Sequence, residues 1–219
     1  TGAVGEYKAK YYAVISTYPT QGKVKDGYVF DHDSKVPLIV SDDSSLNVMK
    51  VYYVKRSDLE YTVHYKEQDT EETLTADKTV GNQTFADTVT ENAIDISGYV
   101  KVAPTSADIE ITTGVNEHTF YYTKRSDLSY TVNYLEKDTD EVIHTPKVTG
   151  NQTFKSVITS ANEVIDIDGY NYDSVDKNSL TIEVDETSNV INIYYTKRTD
   201  LEYTVHYKEQ GTNATLATD

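Results

Sequence analysis

Lys55-Arg56-Ser57-Asp58-Leu59 returns as Lys124-Arg125-Ser126-Asp127-Leu128 and again as Lys197-Arg198-Thr199-Asp200-Leu201. Each copy runs on into Tyr-Thr-Val-x-Tyr, at 61–65, 130–134 and 203–207. Between these blocks, Gly-Asn-Gln-Thr-Phe occupies 81–85 and 150–154, Gly-Tyr recurs at 27–28, 98–99 and 169–170, and Tyr-Tyr at 52–53, 121–122 and 194–195. Ordered landmarks at a period of about 70 residues mean that one supersecondary unit is built several times over, and any fold for the chain has to be a fold for that unit.

The landmarks divide the chain into two full units, 59–127 and 128–200, flanked by partial ones. Residues 1–58 read as a shortened relative. Glu6-Tyr7-Lys8-Ala9-Lys10-Tyr11 echoes Glu60-Tyr61-Thr62-Val63-His64-Tyr65, which implies that about half of the middle of the first unit is missing. Residues 201–219 restart the unit, with Lys208 to Asp219 matching Lys66 to Asp77. An isolated hairpin is marginal in water, so the expectation is a piece of a longer array.

Within a unit the apolar residues mostly alternate. Tyr61, Val63 and Tyr65 point one way and Thr62, His64 and Lys66 the other, as in a strand with one buried face. Phe120 with Tyr122, and Ile191 with Ile193 and Tyr195, repeat the pattern near the end of each unit. Acidic or Gly-Asn turns fall at 69–72, 138–141 and 211–213. One stretch departs from period two: Phe154, Val157, Ile158, Ala161 and Ile165 recur at three- and four-residue steps. Thr88-x-x-Glu91 and Ser160-x-x-Glu163 have capping-box spacing. This predicts a short helix in each full unit, laid on a small sheet. The expected fold class is α+β, a tandem array of β-grasp-like (ubiquitin-like) repeats forming an elongated rod.

Composition narrows the function. A net charge of −16 repels phosphate backbones and anionic headgroups, which argues against nucleic acid or a bare membrane surface as partner. The absence of cysteine excludes disulfides, zinc-thiolate sites and cysteine nucleophiles, and no apolar run is long enough to span a bilayer. None of the nucleophile-elbow, P-loop or dinucleotide-binding motifs occurs, so the reading is non-enzymatic with no cofactor. The five histidines lack metal-ligand spacing, and no metal site is assigned.

Taken together, the Tyr-Thr-Val-x-Tyr opening strand, the central Gly-Asn-Gln-Thr-Phe, the Gly-Tyr and the closing Tyr-Tyr-Thr-Lys-Arg resemble the mucin-binding-protein (MucBP) repeats of Gram-positive bacterial surface adhesins. The resemblance implies a β-grasp-like module without catalysis, displayed extracellularly on the cell wall. It further implies binding to host mucin glycoproteins or their glycans.

The residues themselves offer one binding idea. If Tyr53, Tyr122 and Tyr195 face the core, then Tyr52, Tyr121 and Tyr194 face the other side of the sheet, one per repeat. A tyrosine ring is a rigid plate with a polar edge, suited to stacking on a sugar. His64, Asn133 and His206 would lie nearby on the opening strand. The alternative is that these tyrosines pair across strands. As whole-chain readings, a spacer holding a distal binding domain, or a module binding a host protein such as immunoglobulin, stand beside the glycan-binding one.

Overall fold

The computed structural model describes residues 5–18 and 25–217. Alternation dominates it. The first opening strand buries Leu59, Tyr61, Val63, Tyr65 and Glu67 and turns Glu60, Thr62, His64 and Lys66 outward, as the period-two pattern requires.

In chain order the strands are β1 (Val14–Ile15), β2 (Tyr28–Asp33), β3 (Leu38–Ile39), β4 (Val51–Lys55), β5 (Leu59–Glu67), β6 (Lys78–Gln83), β7 (Thr88–Asn92), β8 (Tyr99–Lys101), β9 (Ser106–Glu110) and β10 (Glu117–Lys124). They continue with β11 (Leu128–Glu136), β12 (Val142–Gln152), β13 (Val157–Thr159), β14 (Tyr170–Val175), β15 (Ser179–Thr181), β16 (Val190–Lys197), β17 (Tyr207–Lys208) and β18 (Thr215–Ala217). The chain divides into two compact units, Thr1–Thr123 and Lys124–Asp219. Each holds one four-stranded sheet, in the order β6-β5-β10-β8 in the first and β12-β11-β16-β14 in the second. In both, the opening and closing strands lie parallel at the centre.

The α+β, β-grasp-like expectation is overturned. No α-helix exists among the described residues, only 3-10 turns at Ser44–Leu46, Ser160–Glu163 and Glu186–Ser188. The stretch expected to be helical forms β13 followed by one of these turns, and its counterpart in the first unit is β7. The cause is the residue type: Val157, Ile158 and Thr159, like Thr88, Val89 and Thr90, are β-branched and fit a pleated ribbon better than a helical turn. The capping-box glutamates, Glu91 and Glu163, do not reach back to a helix start but are drawn into the interior by a tyrosine and a lysine. The tandem β-grasp assignment, and the rod drawn from it, lose their basis with the helix. The protein is strand-rich, built of several small sheets.

A two-stranded ribbon stands where the helix was expected. In the first unit β7 and β9 pair antiparallel, and Ala93, Ile109 and Ile111 around them pack on Leu59, Tyr61, Val63, Tyr65, Phe120 and Tyr122. In the second unit β13 and β15 pair antiparallel in the same way, and Leu180 and Ile182 are buried, as are Leu128, Tyr130, Val132, Tyr134, Ile191, Ile193 and Tyr195. Full burial of one such side chain contributes about 1.5–3 kcal/mol.

Residues 5–58 register differently from the sequence echo. Tyr12, Ala86 and Lys155 all have positive φ, and their amides donate to the carbonyls of Val40, Ile111 and Ile182. Tyr11 therefore corresponds to Phe85 and Phe154, not to Tyr65. β1–β3 matches the β7–β9 ribbon and β2–β4 matches β8–β10. The described part of the first segment thus holds counterparts of the ribbon and of the closing pair. Tyr53 is only half-buried, whereas Tyr122 and Tyr195 are fully buried as expected.

Arg56 ties this segment to the sheet that follows. Its amide donates to Gly27 O and its carbonyl accepts from Phe85 N, while the Tyr28 ring meets Phe85 edge-on with centroids 5.7 Å apart. Gly27 has φ +82°, and a Cβ there would sit inside the van der Waals space of the Phe85 ring. Gly27→Ala thus meets both backbone strain and a clash. Hydrogen exchange of the Arg56 and Phe85 amides is expected to quicken in that variant by about tenfold or more, the equivalent of roughly 1.4 kcal/mol. Unchanged exchange would show that the junction does not depend on this glycine.

Candidate functional site

The outward face of the central strands holds four of the residues singled out in the sequence, His64 and Tyr121 in the first unit and Asn133 and Tyr194 in the second. In the first unit the parallel register sets Thr119 against His64 and Tyr121 against Lys66. In the second it sets Asn192 against Asn133 and Tyr194 against Leu135. Tyr121 and Tyr194 are half-buried, neither in the core nor free in solvent.

These residues are not equivalent. Tyr52 is exposed but stacks on His32, its cross-strand neighbour, with centroids 4.6 Å apart and planes 18° from parallel. The cross-strand alternative therefore holds at Tyr52. His64 lies between two acids, with Nδ1 2.9 Å from Asp77 and Nε2 3.6 Å from Glu117. Asn133 donates its side-chain amide to Asn192 Oδ1 at 2.9 Å, and Asn192 in turn is held by Asp176. His206 is exposed in an unpaired stretch before β17.

Tyr121 opens onto a depression. Gln68, Val102, Ala103, Pro104, His118, Thr119 and the Tyr121 ring line a shallow groove of about 310 Å³. It exists because β8 stops at Lys101: Val102 N still donates to Tyr121 O, and then the chain turns away at Ala103-Pro104, where proline has no amide to continue the ladder. In the second unit β14 runs on to Val175 and pairs alongside Tyr194 and Ile193. The Tyr121 hydroxyl makes a long, 3.5 Å hydrogen bond to Glu71, which also lies 3.5 Å from Lys66. The ring is thus held at its hydroxyl end beside the groove. Aromatic plate, amide, imidazole and hydroxyl together suit a polyhydroxylated ligand. Among the described residues no group of three or more His, Cys, Asp or Glu side chains could hold a metal ion.

Two repeated constellations escaped the sequence reading. The first is an acid bridge: Tyr61 Oη and Lys78 Nζ both donate to Glu91 Oε1, at 2.5 and 2.6 Å, while Tyr130 Oη and Lys147 Nζ donate to Oε1 and Oε2 of Glu163 at 2.8 and 2.6 Å. Burial by itself pushes the Glu91 carboxyl upward, but its hydrogen bonds from Lys78 and Tyr61 outweigh this and hold it below the ordinary glutamate range. Burial, then the bond to Glu91, pushes the Tyr61 hydroxyl up to about 12. The signal was present in the chain: a lysine three residues before each Gly-Asn-Gln and a glutamate after it.

The second is an asparagine clamp five residues before each Tyr-Tyr. Asn116 accepts from Thr112 N and donates to Thr112 O and Glu60 O, and Asn189 does the same with Glu183 N, Glu183 O and Ser129 O. Asn47 makes the first two of these bonds, both to Ser41. Both constellations are buried fixtures that tie sheet and ribbon together, whereas the Tyr121 groove is open to solvent.

No family model matches the chain, and no curated protein matches it. Among solved structures, the crystal structure of Mub-RV is similar at 12% identity, covering 64% of this chain and 99% of that one with a TM-score of 0.21. A likeness of that degree leaves the function to be argued from the geometry of this chain. No helix among the described residues is long and apolar enough to cross a membrane.

Proposed function

We propose that this chain is a non-catalytic, repeat-built piece of a bacterial surface adhesin, with full repeats at 59–127 and 128–200, that contacts mucin-type glycans through shallow sites on its sheets. The observation that carries the reading is the Tyr121 groove, whose half-buried ring is flanked by Gln68, His118 and Thr119. A shallow, polar-rimmed groove with one aromatic plate suits weak sugar binding, and several weak contacts, on one chain or on many displayed together, raise the apparent affinity. The reading includes extracellular display and no cofactor. A chain of net charge −16 would add to such contacts little from attraction to acidic glycans, so neutral sugars are the better ligands.

The test is binding to immobilised mucin and a glycan array by the parent and by Tyr121→Ala. Losing one stacked ring costs about 0.5–1.5 kcal/mol, so binding should weaken by up to about tenfold with circular dichroism unchanged. Parent protein that binds nothing, or a variant that binds equally well, would sink the proposal.

A spacer role is favoured by a different observation. Arg56, Arg125 and Arg198 each fork onto the aspartate two residues on, Asp58, Asp127 and Asp200, with both bonds at 2.9–3.0 Å. Exposed pairs of this kind add little stability, but each stiffens its own Arg-x-Asp turn.

A further inference from the structure

The same edge of the central sheet is closed in one full unit and open in the other. In the second unit Asn192, which the register equates with Thr119, has both backbone groups taken by Asp176. Its carbonyl accepts from Asp176 N at 3.0 Å and its amide donates to Asp176 Oδ1 at 3.0 Å. Two residues earlier, the Val190 carbonyl accepts from Lys177 Nζ at 2.7 Å. The two residues that follow β14, Asp176 and Lys177, thus complete the edge of β16.

In the first unit β8 stops at Lys101, Val102 N donates to Tyr121 O, and the chain leaves at Ala103-Pro104. Thr62 N donates to Asn116 O and Gln68 N to Tyr122 O, so the backbone groups of Asn116, His118, Phe120 and Tyr122 face β5. Those of Glu117 and Thr119 face the vacated side, and among the described residues nothing pairs with them there. The Tyr121 groove runs along this edge, because both faces of β10 line it. His118, whose ring meets that of Phe120 in the core at 4.6 Å, comes from the inner face, and Thr119 and Tyr121 come from the outer one. Open backbone donors and acceptors at a sheet edge are a template for an added strand.

We propose that this edge binds an extended peptide of a partner protein, one in which Asp or Asn is followed by Lys. The second unit supplies the chemistry of the occupant. Placed as Asp176 and Lys177 are placed there, the peptide donates a backbone N–H to Thr119 O, accepts the Thr119 amide on its Asp or Asn side chain, and sets its lysine ammonium on Glu117 O. Glu117 replaces Val190 at that position, and its carboxylate, 60% exposed, adds an attraction for lysine that the second unit lacks. Glu117 and Thr119 are about 7 Å apart along the strand, so about three residues of extended peptide engage them. The proposal is separate from the glycan reading, since it uses the backbone of β10 and not the ring of Tyr121.

The probe is the end-capped peptide Ser-Val-Asp-Lys-Asn-Ser, the sequence of residues 174–179, titrated to about 10 mM into the isotope-labelled whole chain. With so few rungs the expected Kd is on the order of 1 mM. The Thr119 amide resonance should move and saturate, and its hydrogen exchange should slow by about tenfold at about nine-tenths occupancy. The same peptide N-methylated at Asp loses the donor to Thr119 O and should bind about tenfold more weakly, with the protein itself untouched. Thr119→Pro removes only an amide that faces the open side, so circular dichroism should be unchanged while the peptide no longer moves the Glu117 resonance. Should that variant lose its fold, the N-methylated peptide still decides. No shift by the end of the titration, shifts confined to residues away from the groove, or an N-methylated peptide that binds like the parent overturns the proposal.

Discussion

Asn189→Ala is expected to lower the unfolding free energy of the second unit by about 2–3 kcal/mol, a shift in midpoint of roughly 10 °C or more for a unit of this size. Asn189 is fully buried, and its side chain ties Glu183 to Ser129 on the opening strand. Truncation strands three backbone groups at once. Glu183 lies at the surface, so water takes over part of that loss, which keeps the figure below the sum of three unpaired groups. Asn189→Asp should be no better than alanine, because it keeps the acceptor for Glu183 N but turns a carboxylate toward two carbonyl oxygens. Calorimetry on both variants, with hydrogen exchange assigning the transition to residues 124–217, is the check. An unshifted midpoint in Asn189→Ala would show that the clamp is incidental.

Glu91→Ala is expected to cost the first unit about 2 kcal/mol. The main loss is the Tyr61 hydroxyl, left buried without its acceptor; Lys78 is about half exposed and takes its charge to water. Tyr61→Phe, which removes the donor and not the acceptor, should cost less. The bridge also makes stability depend on pH. The Glu91 carboxyl is held below its ordinary 4.5 in the folded chain, so its contribution is complete above about pH 4.5 and drains away as the pH falls through the lower folded value. The Tyr61 hydroxyl is shifted the other way, to about 12, so its contribution is complete below pH 10 and disappears as the pH rises toward 12. Thermal midpoints of parent and Glu91→Gln from pH 3 to 7 should converge at the acid end. Curves that stay parallel would remove Glu91 from the acid response.

Much of the sheet was legible beforehand. Val63 and Val132 fall on the buried face, Tyr122 and Tyr195 in the core, and the acidic turns close the hairpins with Glu71 and Asp140 at positive φ. Period two is a property of the strand itself, so it survives any tertiary arrangement. The helix was misread because Phe154, Val157, Ile158 and Ala161 fit a helical spacing by coincidence, and spacing cannot report that two β-branched ribbons pair at long range. The candidate site was half legible. Alternation put Tyr121 and Tyr194 on one face, but that Tyr52 would be occupied by His32, and that a groove would open beside Tyr121, depended on where neighbouring strands end.

The nonapeptide at 59–67 and 201–209 separates the two kinds of information. Its sequence alone determines which residues alternate, and hence which face would be apolar if a strand forms. Whether it forms is decided elsewhere. Residues 59–67 have β6 on one side and β10 on the other, and the core built on Phe120, Tyr122 and Ile111 offsets the entropy of extending the chain. Residues 201–206 have neither neighbour among the described residues, so the same side chains stay largely exposed and the backbone forms no strand.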